Sequence, residues 1–459
     1  MNLESLAALA TPAGALLLDS MPPYDPRLAL TQSEVLRRRG FAPALVAAAL
    51  TQSRLRGRAE AKLGELTRSV LLTDAGLQQA TRIAVAAHHA QRIQSAGFHR
   101  IADVTCGIGI DAIAMAALGL TVVAAEIDPA TAFAAAHNLR RFPSVQVIEC
   151  DGLGLDLDAL GVEAVFADPS RRTAAGRRVF EPAAYSPPLD ALLALAQRRP
   201  IGVKVAPGIP HAALPAGVEA QWVSDGGTVV ECGIWTGALG RVADETRKAA
   251  RTALVLDGIG AAEVTQAPGA RLETGTLGDY LLEPDGAVIR ASLIAEAAAA
   301  DGLVSPRLLH PRIAYVTADA IARPSPPEAP PAAPPADSPS LPAHRLGAGM
   351  RPANATASST QLRQTPWAGR FFAAYRVLDT FPFKVATLRG YLKARGVGDL
   401  TVKKRGVDVD PDSLRRALGP RGEEAITVVL TRVEGRHSVI VVEPCESRAV
   451  HRNTEDVSP

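Results

Sequence analysis

Between residues 99 and 235 short apolar runs alternate with longer stretches of helical spacing. Ile101–Val104, Thr121–Ala125, Val145–Glu149, Ala164–Ala167 and Ile201–Val205 are the apolar runs. Runs of this length, separated by helix-length segments, predict parallel strands buried on both faces of a doubly wound sheet. Val218–Val223 and Val229–Trp235 follow without a helix between them and predict an antiparallel pair that closes the sheet. Upstream, residues 1–98 carry helical spacing. Thr31-Gln-Ser-Glu34 has the form of a capping box, Pro43 suits the first turn of a helix from Ala44 to about Leu63, and a further helix is expected from about Leu77 to Ser95, closed by Gly97.

Downstream the pattern is less regular. Glu283-Pro-Asp-Gly-Ala-Val-Ile-Arg290 reads as a turn leading into a strand or helix, with a helix through Ala300. Residues 324–358 are rich in Pro, Ala and Ser and predict an extended, flexible linker without a core. Periodicity resumes near Trp367. A helix is expected from Pro382 to Arg395, a strand from Leu400 to Lys404, a helix after Asp410-Pro411 ended by Gly419, and a hairpin of Ala425–Val433 with Ser438–Glu443.

Candidate chemistry collects at the ends of the parallel strands. The first strand runs into Cys106-Gly107-Ile108-Gly109-Ile110, a turn whose glycines let a ligand approach the backbone where a Cβ would clash. Glu126 ends the second strand about twenty residues later, where an acid accepts hydrogen bonds from both hydroxyls of a ribose. Asp151 and Asp168 stand just beyond the third and fourth strands, and Asp151 is placed to accept from an adenine amino group. A pyrophosphate would meet repulsion here, since Asp103 precedes the turn, Asp111 opens the helix and a third glycine is missing. The same carboxylates favour a ligand with an amino group and a sulfonium. The helix before the first strand is expected across the pocket entrance, where Gln79 and Thr81 are candidate cofactor contacts; a plain solvent-exposed helix face is the alternative reading.

The fourth strand ends in Asp168-Pro169-Ser170-Arg171-Arg172. Many enzymes that methylate amines carry an acid or amide, two prolines and an aromatic at this point. The acid and a backbone carbonyl accept from the amine and keep its lone pair aimed, so positioning supplies most of the rate. Ser170 and Arg171 replace the second proline and the aromatic; a guanidinium stacks on a base or pairs with a phosphate.

With these residues in place, the chain resembles the bacterial class I S-adenosylmethionine-dependent methyltransferases that carry a C-terminal THUMP-like domain. Asp103-x-x-Cys106-Gly-x-Gly-x-Asp111 resembles their first motif, and Val402-Lys-Lys-Arg-Gly-Val-Asp-Val-Asp-Pro411 resembles the THUMP-like signature. The resemblance implies an α/β fold: a Rossmann-like methyltransferase sheet, a helical N-terminal region and a small α+β THUMP-like domain. The expected divisions are 1–98, 99–323, the linker 324–358, and 359–459. S-adenosylmethionine is the implied cofactor, held by Asp103, Thr105, Gly107, Gly109, Asp111, Glu126, Ile127, Asp151 and Gln79. Asp168, Pro169, Arg171 and Arg172 are the implied catalytic set, acting on an exocyclic amine of a tRNA or rRNA base. RNA is the implied partner; Lys403, Lys404 and Arg405 on a strand edge would serve as phosphate contacts or, equally, as a solvated edge that discourages aggregation. Two other readings stand beside this one: an RNA-binding protein that keeps a cofactor pocket without catalysis, and a methyltransferase of small molecules.

Composition narrows these readings. The net charge of +2 hides a division: 11 Lys+Arg against 7 Asp+Glu in residues 1–98, 16 against 12 in 366–459, and 22 against 28 between them. Basic ends around an acidic centre fit a polyanion held outside and a cationic cofactor inside. The four cysteines are far apart, with no C-x-x-C pair, which argues against a disulfide framework or structural zinc, and no metal-spaced histidine set appears. Cys106 lies in the glycine turn and Cys150 precedes Asp151, so neither stands where cytosine-C5 methylation needs its nucleophile. Glu4, Pro12 and Asp19 interrupt any apolar leader, and a soluble cytoplasmic protein is the expectation.

Overall fold

The computed structural model of the chain describes residues 1–171, 181–240, 249–321 and 369–445. Arg172 and the linker 324–358 lie outside them. Two compact units are present: one of residues 1–272 with 284–300, the other of 273–283 with the described part of 301–449.

The first unit is built on a nine-stranded sheet. Its strands are β1 (Arg100–Asp103), β2 (Thr121–Glu126), β3 (Val145–Glu149), β4 (Ala164–Ala167), β5 (Ile201–Val205), β6 (Glu219–Asp225), β7 (Thr228–Trp235), β8 (Ala250–Asp257) and β9 (Gly260–Thr265), in the order β3-β2-β1-β4-β5-β7-β6-β8-β9. β1 to β5 are mutually parallel, and β7 runs antiparallel to both β5 and β6. The expected pair does not close the sheet, because β8 adds parallel to β6 and β9 folds back on β8. The order reverses between β1 and β4, and ligands in such sheets bind at that switch point, beyond the carboxyl ends of the strands.

Eight helices of this unit are α1 (Leu3–Ala10), α2 (Pro12–Asp19), α3 (Ala29–Arg38), α4 (Pro43–Leu63), α5 (Asp74–Gln79), α6 (Ile83–Ser95), α7 (Ile110–Ala117) and α8 (Pro129–Leu139). The first four do not form a separate layer: Leu6, Leu17, Val46 and Leu63 share one buried core with Met115, Ala135 and Leu139. Buried Asn138 fastens the two parts. Its Oδ1 accepts from Leu71 N at 2.7 Å, and its Nδ2 donates to Leu71 O at 3.0 Å and Ile108 O at 2.9 Å. Thr31 does not cap α3, which starts at Ala29 after Leu28 with no side-chain cap. The single helix expected over Leu77–Ser95 is two, α5 and α6, parted at Ala80-Thr81-Arg82. Lys62 Nζ donates to the Leu77, Gln78 and Ala80 carbonyls at 3.0, 3.1 and 3.2 Å, satisfying oxygens that a continuous helix would have bonded itself.

The second unit holds a seven-stranded sheet. It contains β10 (Tyr280–Pro284), β12 (Arg307–His310), β13 (Ile313–Ala318), β15 (Phe372–Pro382), β16 (Val397–Lys404), β17 (Glu424–Val433) and β18 (Arg436–Pro444), in the order β12-β13-β10-β15-β18-β17-β16. A two-stranded sheet pairs β11 (Leu303–Val304) with β14 (Ala320–Ile321). Segments of 273–321, expected inside the methyltransferase part, therefore contribute strands to the C-terminal sheet. β15 occupies residues up to Pro382, so the helix expected from there begins at Val385. Among the described residues no helix is long and apolar enough to cross a membrane.

Candidate active site

The glycine turn forms as its sequence requires. Gly107 and Gly109 have φ of 56° and 87°, the left-handed region, and a Cβ on Gly109 would lie 2.9 Å from Leu139 Cδ1. Gly109 is the N-cap of α7. Glu126 closes the turn from the next strand: its Oε2 accepts from Gly107 N at 2.9 Å and its Oε1 from Asp128 N at 2.9 Å. Thr105 ties β1 to β4, its Oγ1 accepting from Asp168 N at 2.6 Å. A pocket opens over this turn, with Gln79, Thr81, Asp103, Thr105, Gly107, Asp111 and Asp168 among its walls.

Most of the expected residues therefore meet. Pro169 is buried behind Asp168, and Gln79 reaches Ser170, its Nε2 donating to Oγ at 3.1 Å. Asp151 and Ile127 stand further out. Asp151 is exposed, accepting from Leu153 N at 3.0 Å, and Ile127 is 70% exposed. Arg171 is half-buried. Arg172 lies outside the described residues.

Behind the pocket is a closed ring of buried polar side chains that sequence reading leaves almost untouched. Lys204 Nζ donates to Thr81 Oγ1 at 2.8 Å; Thr81 Oγ1 donates to Asp111 Oδ2 at 2.5 Å. His89 bonds Asp111 Oδ1 through Nδ1 at 2.8 Å and Glu231 Oε1 through Nε2 at 2.7 Å. Glu231 Oε2 returns to Lys204 Nζ at 3.6 Å. Asp168 is the ring's outlet to the pocket, its Oδ2 2.5 Å from Lys204 Nζ. The sequence points to Thr81 as a residue facing the ligand; it does not point to His89, Lys204 or Glu231. Lys204 does leave a signal, since a lone cation inside Ile201-Gly-Val-Lys-Val205 needs a buried partner.

The electrostatics follow from this packing. Burial alone would discharge His89, but the Glu231 and Asp111 carboxylates outweigh it and carry its pKa up to about 9, so both ring nitrogens donate. Burial likewise opposes the Lys204 charge, and Asp168, Glu231 and Asp111 more than restore it. Asp111 and Glu231 are held below the usual carboxylate range by His89, against burial. Among the described residues Asp103 has no such partner. It is 1% exposed, its Oδ1 accepts only a long 3.3 Å bond from Thr105 N, and burial followed by repulsion from Asp111 pushes it well above the ordinary value. A buried carboxylate this poorly satisfied fits a ligand bearing an ammonium group.

The residues present thus fit S-adenosylmethionine: a backbone turn open to close approach, a strand-end acid for a ribose and an under-bonded carboxylate for an amino group. Glu126→Ala should weaken S-adenosylmethionine binding by about 1–3 kcal/mol, the scale of a charge-assisted bond left unmade, and calorimetry measures it directly. Unchanged affinity would remove Glu126 from the site. Among the described residues no group of three or more His, Cys, Asp or Glu is placed to hold a metal ion.

Comparison with known proteins bears on the family and the fold. The THUMP domain-like family model matches residues 372–444, and a model for a domain of unknown function matches residues 2–59. A crystal structure of a candidate methyltransferase from Porphyromonas gingivalis W83 superposes with a TM-score of 0.67 at 19% identity, covering 96% of this chain and 97% of its own. Two relatives from Mycobacterium tuberculosis, strains CDC 1551 / Oshkosh and ATCC 25618 / H37Rv, are described as uncharacterized S-adenosylmethionine-dependent methyltransferases. Each is 32% identical over 399 residues, spanning 83% of this chain and 90% of the relative. By sequence, fold and pocket this chain belongs to the S-adenosylmethionine-dependent methyltransferases, with a THUMP-like domain toward its C-terminal end.

Proposed function

We propose that this methyltransferase acts on RNA and that the methylated atom is an exocyclic amine of a base in tRNA or rRNA. S-adenosylmethionine, when bound, supplies an electrophilic methyl on a sulfonium. The observation that carries the reading is the state of Asp168. One of its oxygens is held by Lys204, among the described residues nothing donates to the other, and Asp168 is one of the residues that line the pocket. A carboxylate fixed in this way accepts a proton of an entering amine and aims its nitrogen, without serving as a strong base. Arg171, beside it in the chain, is assigned to the base or a flanking phosphate.

RNA is supported by the THUMP-like match and by one basic surface. The surface expected from Lys403-Lys404-Arg405 needs correction. Residues i and i+2 of a strand share a face, and that face is engaged: Lys403 Nζ is 2.7 Å from Glu283 Oε2 and Arg405 Nη2 is 3.5 Å from Glu283 Oε1, so that only Lys404 is exposed. The helix Val385–Ala394 offers more. Lys384, Arg389, Lys393 and Arg395 are all exposed, Arg389 also donating to Ala417 O at 2.6 Å and Arg395 lying over the Tyr391 ring, and no acid occurs between Asp379 and Asp399. Cations spaced along one helix without acids suit a phosphate backbone.

Two measurements test the proposal. Mass spectrometry of nucleosides from tRNA and rRNA of wild-type and deletion strains should reveal one methylated nucleoside missing from the deletion. Transfer to a metabolite extract but not to RNA would favour the small-molecule reading instead. Separately, Lys384→Ala with Lys393→Ala in the full chain should weaken RNA binding and reduce the slope of log affinity against log salt by about one for each phosphate that is no longer neutralised. An unchanged slope would move the RNA surface elsewhere.

A further inference from the structure

We propose that Lys204 is a positioning residue of the methyl transfer: anchored from behind by the buried ring, its ammonium keeps Asp168 ionised and turns the second carboxylate oxygen to the acceptor. The inference rests on the reading of Asp168 as the group that holds the acceptor.

The geometry carries it. A lysine ammonium has three donors, and three oxygens surround this one: Asp168 Oδ2 at 2.5 Å, Thr81 Oγ1 at 2.8 Å and Glu231 Oε2 at 3.6 Å. Two of these are themselves held in the ring, Thr81 by Asp111 and Glu231 by His89, so the ammonium is held from behind by fixed partners. Lys204 is 6% exposed, behind Asp168, so it acts on the acceptor through the carboxylate.

The need for such a cation is plain from the neighbours. Asp168 follows β4; β1 presents Asp103, α7 presents Asp111 and β7 presents Glu231, all negative or potentially so. Among the described residues the cations that act on it include Lys204 on β5, Lys62 on α4 and Arg171 in its own segment, with His89 on α6 further back in the ring. Lys62 is committed to three carbonyls and His89 to two other carboxylates. Within the ring His89 and Lys204 balance Asp111 and Glu231. Asp168 is then the excess carboxylate, in direct contact with Lys204 alone among these cations. Burial lifts its pKa above the ordinary value, and the Lys204 ammonium is the largest opposing influence. Without Lys204 the carboxyl would take up a proton and present an O–H donor where an entering amine also donates.

Infrared difference spectroscopy on the full chain reads this without any substrate. The protonated-carboxyl band of Asp168 is assigned as the one removed by Asp168→Asn, and it is followed with pH in wild type, Lys204→Met and Lys204→Arg. Wild type should show the band only in acid. Lys204→Met should shift its appearance upward by about one to three pH units, the usual influence of an adjacent opposite charge, and Lys204→Arg should reverse most of that shift. Once the acceptor is known, the acid limb of kcat/KM should move by the same amount. A wild type already protonated at Asp168 at neutral pH would overturn the proposal, and so would an unshifted band in Lys204→Met. The wild-type titration decides even if Lys204→Met fails to fold. A shifted band with no methyl transfer to RNA would refute the acceptor reading and leave the role of Lys204 standing.

Discussion

Asp168→Ala should lower turnover by about 10²–10³, the range for removing one preorganised polar contact, while S-adenosylmethionine affinity changes little. Asp168 lines the pocket beyond β4, and the glycine turn is closed by Glu126, not by Asp168. With the carboxylate removed, Lys204 still has Thr81 and Glu231, so the ring stays closed and the fold should survive. What disappears, on the proposed mechanism, is the oxygen that accepts from the entering amine. Arg171→Ala should behave differently, raising KM with little effect on kcat, because a residue that grips the acceptor equally before and during reaction contributes only uniform binding. Steady-state kinetics on the identified RNA separates the two. Normal turnover in Asp168→Ala would remove it from the mechanism and make the arginines the next candidates.

Much of the geometry around the glycine turn is legible in the sequence because it is local. A glycine turn, its flanking acids and a strand-end Glu all fall within Asp103–Glu126, and strand and helix periods fix where each lies. Glu126 does meet Gly107 across that short separation. The ring behind it joins residues 81, 89, 111, 204 and 231, which no local pattern relates. Its one hint is a charge inside an apolar strand. The break between α5 and α6 is equally hidden, since neither Gly nor Pro marks Ala80-Thr81-Arg82. It arises because a distant lysine satisfies the freed carbonyls and because Thr81 is drawn inward by Asp111 and Lys204. In the second unit β10 and β13 join a sheet completed by strands beyond residue 370, and pairing at that distance leaves no readable role for 273–321 in the local pattern. The Lys403-Lys404-Arg405 run shows a different error. Treated as a cluster it looks like a surface patch, whereas period-two alternation separates Lys404 from its two neighbours.

His89→Leu is expected to destabilise the first unit by about 3–5 kcal/mol near pH 6, because two buried carboxylates are then without their shared cation. His89 is 2% exposed, and Asp111 and Glu231 are each bonded to one of its nitrogens. The destabilisation should depend on pH with a definite sign. The folded-state pKa of about 9 exceeds the ordinary histidine value of 6.5. Stability from protonating His89 is therefore fully present below pH 6.5 and is lost as pH rises through 9. Asp111 and Glu231 run the other way: their depressed values stabilise the fold above the ordinary carboxylate range, and that contribution is lost as pH falls through the folded-state values. The intact ring should thus be strongest between these limbs. Urea unfolding of wild type and His89→Leu at about pH 6, 8 and 10 measures the difference, which should narrow toward the alkaline end, where wild-type His89 has also given up its proton. A gap of equal size at all three pH values would mean that leucine simply packs badly there. A gap below about 1 kcal/mol near pH 6 would mean that one of the two carboxyls carries the proton and His89 is neutral, and the ring would then hold Lys204 with less negative charge than its geometry implies.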